Sequence, residues 1–161
     1  MRGLNIIGII VSLGIFRYGS YVNNQLEEIL WSSRGYFGYQ EISAGMSNIG
    51  MSGAFYMILI GIFFIILYGV NIKHINRSTT KVISILGIIA SVLFMLLNVG
   101  YLAGGNLNTF GIMYVLWWLF GLICLAFMIV LLVQAVQEFK GSIPNAGRKI
   151  ADDVEDDFDV I

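Results

Sequence analysis

The chain is predicted to be all-α: an integral membrane four-helix bundle with both termini cytoplasmic. Of its 161 residues, 58% are hydrophobic and only 12% are charged, whereas soluble domains carry about 25% charged residues. Mean hydropathy is +0.83. Between Lys81 and Glu138 lie 56 residues without one Asp, Glu, Lys or Arg. As a single helix that stretch would run about 84 Å, against a hydrocarbon core of about 30 Å. It must fold back on itself, and its strong break is the run from Ala103 to Thr109, centred on Gly104-Gly105-Asn106. Period-two alternation is absent throughout, which argues against a β-barrel.

The first span is predicted over 3–22. Its apolar run, Gly3 to Phe16, lies between Arg2 and Arg17 and is 14 residues long, too short to cross alone and similar to a signal-peptide hydrophobic region. No small-x-small cleavage site follows it. If Arg17 snorkels toward the headgroups, the span extends to about Val22 and reaches roughly 30 Å. The second span is predicted over 51–72, because the uncharged run from Ile42 opens with Ser43, Ala44, Gly45, Ser47 and Asn48 and becomes strongly apolar only from Met51. The third occupies 82–102 and the fourth 110–136. Together with an outer loop over 23–50, these form a four-span domain (1–137), followed by an acidic cytoplasmic tail (138–161).

Orientation follows from the enrichment of Lys and Arg in cytoplasmic loops. The connection between the second and third spans carries Lys73, His74, Arg77 and Lys81 and no acid. With that connection inside, Arg2, Lys140, Arg148 and Lys149 are inside too. Seven cations then face the cytoplasm, and Arg17 and Arg34 lie on the other side.

Lipid tails are as apolar as Leu, so the helices must associate through small residues and shared hydrogen bonds. Gly50 and Ala54, Gly87 and Ser91, and Gly100 and Gly104 are small pairs four apart, and Gly8, Ser12, Gly14 and Gly19 stud the first span. Asn5, Asn98 and Gln134 are expected to face neighbouring helices. Ser84, Ser91 and Asn98 recur every seven residues, a stripe about 21 Å long that either packs helices or lines a pore. Trp117 and Trp118, near Tyr101 and Tyr114, are expected to form an interfacial aromatic belt.

Outside the spans, Val22, Leu26, Ile29 and Leu30 recur at helical spacing beside Glu27 and Glu28, which predicts a short amphipathic helix on the membrane surface. The aromatic, Gly-rich run after it makes Trp31, Tyr36, Phe37 and Tyr39 partner-binding candidates. The tail holds seven acids and three cations. Its residues Ile150, Val154 and Phe158 are spaced four apart, so they form a candidate docking face for a cytoplasmic partner; the opposing reading is a disordered solubiliser. The terminal Phe158-Asp159-Val160-Ile161 also has the form of a peptide that PDZ domains capture.

The spans lack the groups on which most membrane chemistry depends. None has an interior acid or base of the kind that marks coupled transport. The single Cys124 rules out both an intrachain disulfide and a Cys-x-x-Cys redox pair. His74, the only histidine, lies in a basic connection and is read as a solvated interface residue. No enzyme activity, cofactor, metal or nucleic-acid partner is expected.

The topology, with inner termini, a longer first outer loop, a short second one and a cytoplasmic tail, resembles the claudin and peripheral-myelin tetraspans. Leu30-Trp31 stands where their Gly-Leu-Trp would. Ile29 replaces the Gly and the two loop cysteines are absent, so the resemblance implies architecture and no residue role. The function expected is that of a non-catalytic accessory, assembly or scaffold subunit of a larger membrane complex. Its partners would be the lipid bilayer and other membrane subunits. The alternative is an oligomeric pore for water, gas or a small neutral solute.

Overall fold

In a computed structural model, residues 2–32, 39–74, 77–105 and 107–156 are described, with side chains described over 2–31, 42–74, 77–105 and 109–139. They form four α-helices: α1 (Arg2–Ser32), α2 (Tyr39–His74), α3 (Ser78–Gly104) and α4 (Leu107–Asp156). Each contains a segment long and apolar enough to cross a membrane, namely Arg2–Trp31, Ile42–His74, Ser78–Gly104 and Thr109–Phe139. Among the described residues there is no strand.

Consecutive helices run antiparallel. Between α1 and α2, Asn5 meets Asn71 and Tyr18 meets Tyr56. Gly61 of α2 approaches Met95 of α3, and Phe94 of α3 stacks on Phe120 of α4 with ring centroids 3.8 Å apart and planes 6° from parallel. The circle closes where Gly19 of α1 abuts Trp118 of α4. Helices α2 and α4 also touch across the diagonal, separating α1 from α3. The core is centred on the α2–α4 diagonal, with Met57, Phe64, Tyr68, Phe120, Cys124 and Met128, and takes in Ile15 and Val22 of α1 and Phe94 and Tyr101 of α3.

Two turns set the ends of the bundle. Lys73 and His74 close α2, where cations favour the negative end of the helix dipole. Between α3 and α4 the chain reverses through Gly105, whose N–H bonds the Tyr101 carbonyl at 2.7 Å. A Cβ on Gly105 would stand 2.5 Å from Tyr101 Cδ2, so the tight reversal depends on close approach. Its φ of −66° is open to any residue.

At the far end α1 and α2 outrun the other pair. Gly50 of α2 lies beside Tyr101 and Phe110, level with the α3–α4 turn. The preceding part of α2, from Tyr39, extends about 16 Å farther at 1.5 Å per residue. There Ile29 packs 3.1 Å from the Cβ position of Gly45. The separate surface helix expected around Val22–Leu30 is instead the continuous end of α1, with Val22 fully buried and Leu26 half-buried against the core. Much of the expected outer loop (23–50) is likewise helix. Hydropathy locates the apolar part of a helix, but no proline or paired glycine interrupts 39–50, so the backbone ladder continues beyond it. In the same way, α4 does not stop at the end of its apolar run but carries the backbone through Pro144 to Asp156.

Candidate functional site

Polar side chains placed inside the bundle are engaged mainly in contacts between helices. Asn71 Nδ2 donates to Asn5 Oδ1 at 2.9 Å and also to the Leu67 carbonyl, tying α2 to α1. Trp117 Nε1 donates to Asn98 Oδ1 at 3.0 Å, joining α4 to α3, while Asn98 Nδ2 caps the Phe94 carbonyl at 2.8 Å. Thr80 Oγ1 donates to Gln134 Oε1 near the basic end. Asn5, Asn98 and Gln134 thus each face a neighbouring helix. Asn71 belongs with them although the sequence reading passed over it; a lone amide at the end of an otherwise apolar run is the signal that would have found it. Four buried polar atoms in this interior, Asn5 Nδ2, Asn71 Oδ1, Tyr68 Oη and Ser84 Oγ, have no hydrogen-bond partner.

The seven-residue stripe is closed. Ser84, Ser91 and Asn98 have no exposed surface, and Ser91 Oγ bonds its own helix at Gly87 O, 2.8 Å away. Gly87 takes the ring of Tyr68, whose Cζ would lie 2.5 Å from an added Cβ. This is a packed α2–α3 contact. Gly100 and Gly104 differ: a Cβ on either would meet nothing within 4 Å, so they line an outward groove with Leu97, Ile112 and Leu116 and take no part in helix packing within the chain.

Trp117 and Trp118 do not form the expected belt. Trp117 is 1% exposed and lies in the core, wedged over Gly53 and held by Asn98. The reason is geometric: consecutive residues on a helix point about 100° apart, so the pair cannot share one environment. Trp118 faces α1, where it covers Gly19 and packs on Phe16 with centroids 5.3 Å apart. Tyr101 is buried, and Tyr114 Oη donates to the Gly19 carbonyl at 3.2 Å.

Charge collects at the end where α2 meets α3. Arg77 bonds Gln137 Oε1 at 3.1 Å and lies 3.8 Å from Glu138. Arg2 stacks 3.7 Å from the ring centroid of Phe139, a cation–π contact that brings the start of α1 to the same level. The opposite half holds a cleft of about 500 Å³ lined by Arg17, Tyr18, Tyr21, Asn24 and Tyr56.

Of the partner-binding candidates, Trp31 is 66% exposed at the end of α1. Tyr36, Phe37 and Phe158 lie outside the described residues. The backbones of Tyr39, Ile150 and Val154 belong to α2 and α4, but their side chains lie outside the described residues. Among the described residues, no group of three or more His, Cys, Asp or Glu side chains is placed to hold a metal ion. Comparison with known protein families, with curated proteins and with solved structures finds no match.

Proposed function

We propose that this chain is a four-span membrane protein with both termini cytoplasmic, acting as a non-catalytic accessory, assembly or scaffold subunit of a larger membrane complex. The observation that carries this reading is how the interior amides are used. Asn5 with Asn71, Asn98 with Trp117, and Thr80 with Gln134 pair between helices, and among the described residues no charged side chain is buried. Such a bundle is built to hold a shape in lipid and to present its outer surface. Candidate surfaces are Trp31, exposed beyond the α3–α4 turn, and the acidic tail past Glu138.

Purification of the full chain in mild detergent is expected to bring down a stoichiometric membrane partner, and Phe158→Ala is expected to weaken that recovery. A homo-oligomer free of other subunits would count against the accessory role. Unchanged recovery of Phe158→Ala would remove the tail from the interface.

The cytoplasmic placement of the termini rests on the basic connection containing Lys73, Arg77 and Lys81. Cys124 is the only cysteine and is buried, so an introduced thiol reports sidedness against a low background. In intact cells a membrane-impermeant maleimide is expected to label Glu28→Cys and to spare Ser78→Cys until the membrane is opened. The reverse pattern would invert the topology.

A further inference from the structure

We propose that the cleft around Arg17 is a phospholipid site in the leaflet next to the α3–α4 turn, with the lipid phosphate seated on the guanidinium. Arg17 is the only charged residue of α1 between Arg2 and Glu27. It is exposed, and among the described residues no carboxylate lies within ion-pair distance of it. It stands fifteen residues from Arg2, about 22 Å along the helix. Arg2 and Phe139 mark the opposite boundary. In a hydrocarbon core about 30 Å thick, Arg17 therefore starts roughly 8 Å short of the nearer headgroups, a gap that an extended arginine side chain spans. An unpaired cation at that depth is costly and needs an anion. The anion present at that level of a bilayer is the phosphodiester, and the planar guanidinium matches two of its oxygens.

The surroundings make this more than ordinary snorkelling. Gly14, Arg17, Tyr21 and Asn24 follow one another at three- and four-residue steps, so they share one face of α1. Tyr56 closes the cleft from α2. Tyr18 is held with its ring 4.9 Å from Tyr56 and 6.2 Å from the buried Trp117, which fixes the wall before any ligand arrives. Asn24 and the tyrosine hydroxyls supply further donors. Gly14 leaves the floor open, because a Cβ there would meet nothing within 4 Å. The volume of about 500 Å³ is in the range of small-molecule sites and too large for a phosphate ion alone. Tyr21 and Tyr56 are 57% and 42% exposed on spanning segments, so the mouth opens toward lipid. The groove beside Gly100 and Gly104 has no charged lining residue and offers nothing comparable.

This inference rests on the membrane-spanning reading but on neither the accessory role nor the sidedness. The test is native mass spectrometry of the full chain released from nanodiscs containing phosphatidylglycerol or, in a separate arm, the phosphate-free lipid diacylglycerol. Wild type is expected to retain one phosphatidylglycerol and no diacylglycerol. Arg17→Gln and Gly14→Leu, the second of which keeps the charge but fills the floor, are each expected to lower that occupancy at least tenfold. Millimolar inorganic phosphate is expected to leave the lipid in place. Equal retention by both variants, equal retention of diacylglycerol, or displacement by inorganic phosphate would each overturn the site. A chain that does not enter the nanodisc at all would overturn the spanning reading with it.

Discussion

Replacing Trp117 with alanine is expected to destabilise the bundle by about 3–5 kcal/mol, the range for truncating a large buried aromatic side chain. The side chain is almost wholly buried, and its ring packs edge-on to Phe110, beside Tyr18 and over Gly53. Its removal leaves a cavity at the meeting of α1, α2 and α4 and strips Asn98 Oδ1 of its donor from α4. Neither defect can be filled from outside the bundle, because the site is almost wholly enclosed. Trp117→Phe separates the two contributions. It keeps most of the volume and removes the hydrogen bond, so its cost should be near the ~0.6 kcal/mol average, and below the ~1.7 kcal/mol maximum, found for interhelical hydrogen bonds in a membrane protein. Reversible unfolding in mixed micelles, followed by circular dichroism, measures both. A Trp117→Ala variant as stable as wild type would mean that this tryptophan lies at the membrane interface after all.

The second large effect is expected from glycines that look alike in sequence. Gly53→Ala and Gly87→Ala should each cost about 1–3 kcal/mol by overpacking, with leucine at either position preventing the bundle from closing. A Cβ on Gly53 would lie 2.8 Å from Trp117 Cζ3, and one on Gly87 would lie 2.5–2.7 Å from three atoms of the Tyr68 ring. Both rings are themselves fully enclosed and have no room to retreat. Gly100→Leu and Gly104→Leu should instead leave the melting temperature of the isolated chain unchanged, since nothing in the chain meets a Cβ at either site. Thermal melting of the four leucine variants side by side decides the matter. Equal loss at Gly100 and Gly87 would contradict the packing of Tyr68 on Gly87.

Much of the fold was legible because segments apolar enough to cross a membrane obey a simple rule. A long uncharged run must satisfy its backbone within itself, so residues 82–137 could only be two helices joined at the Gly104-Gly105 break. The same rule pointed to amide pairing, since Asn5, Asn98 and Gln134 had to find partners on other helices. What composition could not show was where each helix ends. A helix persists past its apolar segment wherever nothing breaks the backbone ladder, which is why α1 continues to Ser32 and α2 begins at Tyr39.

The sequence by itself determined that this protein has four long apolar helices, where two of them turn, and that their apolar runs carry amides and hydroxyls, with Arg17 the one charge inside a predicted span. Only the tertiary structure decided which face each residue serves. It placed Trp117 in the core and Trp118 on α1, closed the Ser84–Ser91–Asn98 stripe, and turned Gly100 and Gly104 outward. It also set Tyr56 of α2 across from Arg17 of α1 to form a cleft. The physical reason is that these helices are apolar on nearly every side, so apolar periodicity does not mark the buried face as it does in an amphipathic helix. Burial is then assigned by fit between facing side chains, which exists only once the helices are side by side.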